Sequence, residues 1–191
     1  MPNPQNWVKN YGDYLFSIAI VKVNNRQLAE DIVQDTFLAA VNSISSFKGE
    51  SSEKTWLTAI LNNKIIDHYR KKDVLKNTES YLAETEQSFN DCFFDSSNES
   101  LGHWLSKSTP SAWISTTDDP ITTTEFYRVL YDCIQKMPSK LIPVFMSKFL
   151  DEKKTEDICK DYEISSSNYW VIIHRSKLLM RTCLEKNWFK K

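Results

Sequence analysis

The stretch R-Q-L-A-E-D-I-V-Q-D-T-F-L-A-A-V-N-S-I, residues 26–44, decides the fold class. Leu28, Ile32, Val33, Phe37, Ala40, Val41 and Ile44 recur at helical spacing, while Glu30, Asp31, Gln34 and Asp35 fall on the polar side. Asp31 and Asp35 are four residues apart and so share a face, one turn from each other. Upstream, Trp7, Tyr11, Leu15, Ile18 and the Val21 to Val23 region predict a helix over residues 5–23, with Asn24 or Asn25 capping the next one. Downstream, a loop at 45–50 carries Phe47 and Gly49. Ser51 or Ser52 then caps a third helix that reaches about Lys72, whose apolar members are Trp56, Leu57, Ile60, Leu61, Ile65 and Tyr69, with the Trp56 ring expected to be exposed.

The rest of the chain agrees with an all-α reading. Three glycines stand in 191 residues, where average usage gives roughly 13. Neither G-x-G-x-x-G nor G-x-x-x-x-G-K-[ST] occurs, so the glycine turns that cradle nucleotide phosphates are missing. The length suits one ordinary domain or two small ones. No apolar run is long enough to span a bilayer and the N-terminus does not read as a signal peptide, so the expected location is cytoplasmic, without membrane insertion. Cys92, Cys133, Cys159 and Cys183 lack C-x-x-C spacing and suggest neither a disulfide framework nor a zinc knuckle. Three of them are expected to be small apolar helix residues, and Cys92 a loop thiol.

Charge divides the chain in three. Residues 1–72 carry 9 Lys+Arg and 7 Asp+Glu, residues 73–124 carry 2 and 9, and residues 125–191 carry 13 and 9. An acidic connector between two basic ends points to two modules that face a polyanion or an acidic partner. The connector holds 17 Ser+Thr in its 52 residues and no sustained apolar period, so it cannot form a core of its own. Its aromatic islands, Phe93, Phe94, Trp104 and Trp113, predict docking on a module or a partner.

In the C-terminal part, Thr122 and Glu125 have capping-box spacing. Phe126, Val129, Leu130, Cys133, Ile134 and Met137 then keep helical period up to Pro138, which suits the first position of another helix, although Pro143 shifts its start. Thr155 is expected to cap a short helix, and after Glu163 and Ile164 a long helix opens at Ser165 or Ser166 and runs to Trp188 or Phe189. A short helix, a tight turn and a longer basic helix form a helix-turn-helix pattern, whose second helix enters the major groove. Its exposed candidates are Ser166, Ser167, Asn168, Trp170, Val171, His174, Arg175 and Lys177. Trp170 either reads DNA or packs.

The acidic face at Asp31 and Asp35 has three readings: a metal or acid-base site, a solvated face, or a docking face for a basic partner. The first lacks converging His or carboxylate ligands, and no metal, cofactor or catalytic group is expected. The third helix ends in Asn62, Asn63, Lys64, Asp67, His68, Tyr69, Arg70, Lys71 and Lys72. Cations there suit the helix dipole without any ligand. They also suit phosphates, with Asn side chains and the ring of Trp56 engaging bases.

The strings AEDIVQDTFLAA (29–40) and FKGESSEKTWLTAILNNKIIDHYRKK (47–72) closely resemble the second conserved region of bacterial RNA polymerase sigma factors of the extracytoplasmic-function group, within the sigma-70 family. Residues 125–189 resemble their fourth region. The resemblance implies a region 2 module over 1–74, a linker over 75–121 and a region 4 helix-turn-helix over 122–191. It implies that Asp31, Gln34, Asp35 and Phe37 dock on core RNA polymerase. Phe47, Lys54, Trp56, Asn62, Asn63, Lys64, Asp67, Arg70 and Lys71 would hold the downstream promoter element, and the last helix would read the upstream element. It further implies a cognate anti-sigma factor, and a free chain that is a monomer. The rival readings are a free-standing helix-turn-helix regulator and, more distantly, a nuclease using Glu30, Asp31, Asp35 and Asp67.

Overall fold

A computed structural model describes residues 4–71, 82–97, 103–110 and 120–189. The architecture is all-helical: α1 (Trp7–Val23), α2 (Arg26–Asn42), α3 (Glu53–Lys71), a short α4 (Glu86–Asn90), α5 (Pro120–Gln135), α6 (Ile142–Phe149), α7 (Thr155–Tyr162) and α8 (Ser166–Leu184), which ends in one π-helical turn, Glu185–Phe189. Among the described residues there is no strand, only an isolated antiparallel bridge between Phe94 and Trp104, and no helix is long and apolar enough to cross a membrane. Trp113 and the side chains of Lys71 and Thr122 lie outside the described residues.

Local chemistry sets the helix ends. Asn24 closes α1 in the left-handed region at φ 48°, and Asn25 Oδ1 accepts from the Leu28 N–H at 3.0 Å to open α2. Ser52 Oγ accepts from the Thr55 N–H at 3.1 Å, and Ser165 Oγ from the Asn168 N–H at 3.2 Å. Three expected starts differ. Helix α5 begins at Pro120, so Thr122 lies inside it. Pro138 precedes α6, which starts at Ile142 with Pro143 in its first turn, where a missing N–H leaves no bond unmade. Thr155 is the first residue of α7 rather than its cap, and Lys154 holds the capping position.

Helices α1, α2 and α3 pack together over Leu15, Ala19, Ala29, Ala40, Leu57 and Leu61, all fully buried. Each large apolar side chain so buried contributes about 1.5–3 kcal/mol. The same buried cluster continues into the C-terminal half through Leu141, Val144, Ile158, Tyr162, Tyr169 and Ile172. Helix α3 lies against α7, and α1 against α6. A second cluster gathers Cys133, Ile134, Met137, Phe145, Met146, Met180 and Leu184 between α5, α6 and α8.

A disulfide joins Cys133 of α5 to Cys183 of α8, which corrects the reading of these cysteines as unpaired apolar residues. They are 50 residues apart, and only the packing of α5 on α8 brings them together. Cys92 is an exposed free thiol. The described connector aromatics dock as their composition required. Phe93 is buried and lines a cavity with Met137, Leu179 and the two bridged cysteines; Phe94 and Trp104 stack 4.7 Å apart.

Candidate functional site

Helix α2 presents its polar side to solvent. Asp31, Gln34 and Asp35 are exposed, whereas Phe37 is half-buried and packs on the core. Leu38 (64% exposed) and Val41 (49% exposed) extend that face, so Val41 does not join the inward stripe expected of it. Leu38 lies about half a turn around α2 from the buried Ala29, Ile32, Thr36 and Ala40, and with Val41 beside it this was the signal for an outward apolar patch. Carboxylates beside exposed aliphatic side chains make a surface suited to a basic, partly apolar protein partner.

Helix α3 carries the second group. Trp56 is not the exposed ring expected; it is half-buried, 5.0 Å from the Phe47 ring and 5.8 Å from the Trp7 ring. Trp7 Nε1 donates to Glu53 Oε2 at 3.1 Å, which fixes the start of α3 against α1. Lys54 is exposed, its ammonium 3.7 Å from the Tyr14 ring centroid. Asn63 is exposed, and Lys64 and Asp67 are partly so. Arg70 pairs with Asp67 at 2.5 Å and lies 3.9 Å from Glu163 at the end of α7.

Asn62 is drawn into a contact between the two halves. Its Oδ1 accepts from Lys22 Nζ at 2.8 Å, and the same ammonium reaches Asp151 Oδ2 at 2.6 Å, just beyond α6. Burial lowers the Lys22 pKa from its usual value while the Asp151 carboxylate opposes that shift. Neither Lys22 nor Asp151 was among the sequence candidates. A lysine inside the apolar run Ile18 to Val23 was the available hint, because a charge held there needs a partner.

On α8, Ser166, Ser167, Trp170 (58% exposed), Val171, His174 and Lys177 face solvent, so six of the eight candidates on this helix are exposed. Trp170 meets Tyr169 edge-on at 5.1 Å and leaves more than half of its surface in solvent. Glu163, between α7 and α8, adopts the left-handed conformation the helix-turn-helix needs, at φ 53°. Asn168 and Arg175 depart from the expectation: both are buried. Arg175 Nη2 donates to the Leu82 carbonyl at 2.6 Å and Nη1 to Thr85 Oγ1 at 2.9 Å, with the Phe89 ring 4.8 Å away. The connector passes over this side of α8, and no periodicity within α8 could show that.

Among the described residues, no three His, Cys, Asp or Glu side chains converge as metal ligands. Three faces are exposed: a mixed acidic and aliphatic one on α2, a polar and basic one on α3, and one edge of α8.

Comparison with known proteins agrees. Residues 7–74 match the family model for sigma-70 region 2. The "Probable RNA polymerase sigma factor" of Haemophilus influenzae is 33% identical over 175 residues, covering 90% of this chain and 84% of that protein. The "ECF RNA polymerase sigma factor SigW" of Bacillus subtilis is 25% identical over 171 residues, covering 90% and 83%. A solved structure of the sigma factor RpoE in complex with the anti-sigma factor NepR, from Bartonella quintana, aligns with TM-score 0.42 and 17% identity over 96% of this chain and 97% of that one. A region 2 match laid over α1 to α3 and a 33% identical sigma factor aligned along nine-tenths of the chain lead to one family: the chain belongs to the ECF RNA polymerase sigma factors of the sigma-70 family, which direct transcription initiation and are not enzymes.

Proposed function

We propose that the three faces divide the work of initiation. Asp31, Gln34 and Asp35, with Leu38 and Val41 beside them, form the docking surface for core RNA polymerase, and Phe37 sets the position of α2 from below. The loop at Phe47 and the face of α3 with Lys54, Asn62, Asn63, Lys64, Asp67, Arg70 and Lys71 hold the downstream promoter element. Trp56 acts there as a wedge braced by Trp7 and Phe47. Ser166, Ser167, Trp170, Val171, His174 and Lys177 read the upstream element, joined by Asn168 and Arg175 once the connector moves aside. Residues 1–74 and 122–191 are then the two working modules, linked through 75–121. The free chain is a monomer, and an anti-sigma factor that masks these surfaces is the expected second partner.

The observation that carries this reading is the exposed face of α2. A helix that spends carboxylates and large aliphatic side chains on solvent, when its other side already supplies the core, is shaped for a protein partner. Transcription with core polymerase tests the division of labour. The double variant Trp170→Ala/Lys177→Ala is expected to lose about tenfold or more from a duplex promoter, the effect of roughly 1.4 kcal/mol. A template premelted at the downstream element should retain most of its activity. Equal losses on both templates would refute the separate roles of α3 and α8.

A further inference from the structure

Arg175 lies on the helix assigned to upstream-element reading, yet it is 5% exposed. What covers it is the connector. The Leu82 carbonyl and the Thr85 hydroxyl accept from its two terminal nitrogens, at 2.6 and 2.9 Å. The Phe89 ring faces its guanidinium at 4.8 Å, and Leu82 is itself buried. A narrow cavity of about 150 Å³ separates Leu82, Ala83 and Glu86 from Ser167, Asn168 and Val171, so the connector runs along the first two turns of α8. Those turns are the part of a helix-turn-helix that enters the groove.

Charge adds a second observation. Residues 82–97 contain Glu84, Glu86, Asp91 and Asp95 and no Lys or Arg. The segment lying on the DNA-reading helix therefore carries the same sign as DNA phosphate. Its two acceptors take N–H donation from both terminal nitrogens of Arg175, the donors that a phosphate or a guanine edge would otherwise engage. Ser166, Ser167, Trp170 and His174 stay open, but Arg175 and Asn168 at the margin of that face are buried, so duplex DNA could reach the Arg175 donors only after the connector has left them.

We propose that the segment 82–97 is an autoinhibitory cover, an acidic internal stand-in for DNA that holds the free chain off duplex DNA until it is displaced. This rests on the reading of α8 as the upstream-element helix. A closed form of this kind lowers apparent affinity by the fraction of molecules that are open. If about one molecule in ten is open, removing the cover tightens binding about tenfold.

The test uses the full chain and the triple variant Leu82→Ala/Thr85→Ala/Phe89→Ala, which removes the anchor, the hydroxyl acceptor and the ring without altering α8. A duplex sequence is first selected from a random-sequence pool on the triple variant. Its affinity is then measured for both free chains, alongside amide hydrogen exchange over 82–97. The expected result is slow exchange in the wild type, fast exchange in the variant and in the DNA-bound wild type, and at least about tenfold tighter binding by the variant. Fast exchange in the variant with unchanged affinity for the selected duplex would overturn the cover while leaving α8 as a DNA reader. Equally fast exchange in both free chains would also overturn it. Failure of the pool to yield any preferred sequence would instead overturn the assignment of α8, and the cover with it.

Discussion

Tyr162 and Tyr69 meet across the junction of α7 with α3, their ring centroids 6.4 Å apart. Tyr162 OH lies 3.0 Å from Ser147 Oγ, both groups buried. Burial pushes the Tyr162 phenol up to about 12 and raises Tyr69 as well. Each folded phenol therefore holds its proton at pH values where the unfolded one, at 10.0, has lost it. The stability this gives is fully present below pH 10.0 and is lost as pH climbs toward about 12. The urea midpoint of the wild type should fall steeply above pH 10, and that of Tyr162→Phe less steeply, with Tyr69 supplying the remaining slope. The variant should also lose about 1 kcal/mol at neutral pH with the Ser147 hydrogen bond. Identical pH profiles would contradict this account of the junction.

Among the elements, α5 depends most on one bond. It packs on α8 and is tied there by Cys133–Cys183, which closes a span of 50 residues. A crosslink of that reach stabilises by about 2–4 kcal/mol, largely by restricting the unfolded chain. Cys133→Ser should lower unfolding stability by that amount in urea without reductant, and a dithiol should lower the wild type while leaving the variant unmoved. A dithiol effect of equal size on both would contradict the assignment. The elements also show what was legible in the residues. Asn25, Ser52 and Ser165 cap through atoms three residues away, and Glu163 terminates α7 within its own turn, so local sequence was sufficient. Trp56 was recognisable as an element of α3, but its bracing by Trp7 was not. Cys133 with Cys183, Lys22 with Asp151 and Arg175 with Leu82 are pairs 50, 129 and 93 residues apart. Such pairs exist only after helices have packed, so helical periodicity says nothing about them.

At the scale of the whole molecule, the chain folds back on itself through groups that the proposed function assigns to promoter DNA. Asn62 is held by the Lys22–Asp151 pair, Arg70 approaches Glu163, and Arg175 is covered by the connector. The face of α2 stays outside these contacts: Asp31, Gln34, Asp35, Leu38 and Val41 remain exposed while α3 and α8 are engaged. That arrangement suits an order of events in which polymerase is met first and DNA surfaces are released afterwards. Docking of α2 on core RNA polymerase is thus the central claim, and co-elution of the purified chain with core polymerase on gel filtration, wild type beside Asp31→Lys, tests it most directly. Asp31 is exposed, so the substitution reverses charge with little effect on folding. The account predicts that the wild type co-elutes and that the variant, with an unchanged circular dichroism spectrum and melting temperature, elutes apart. Undiminished co-elution of the variant would contradict the assignment of α2 as the polymerase-binding face.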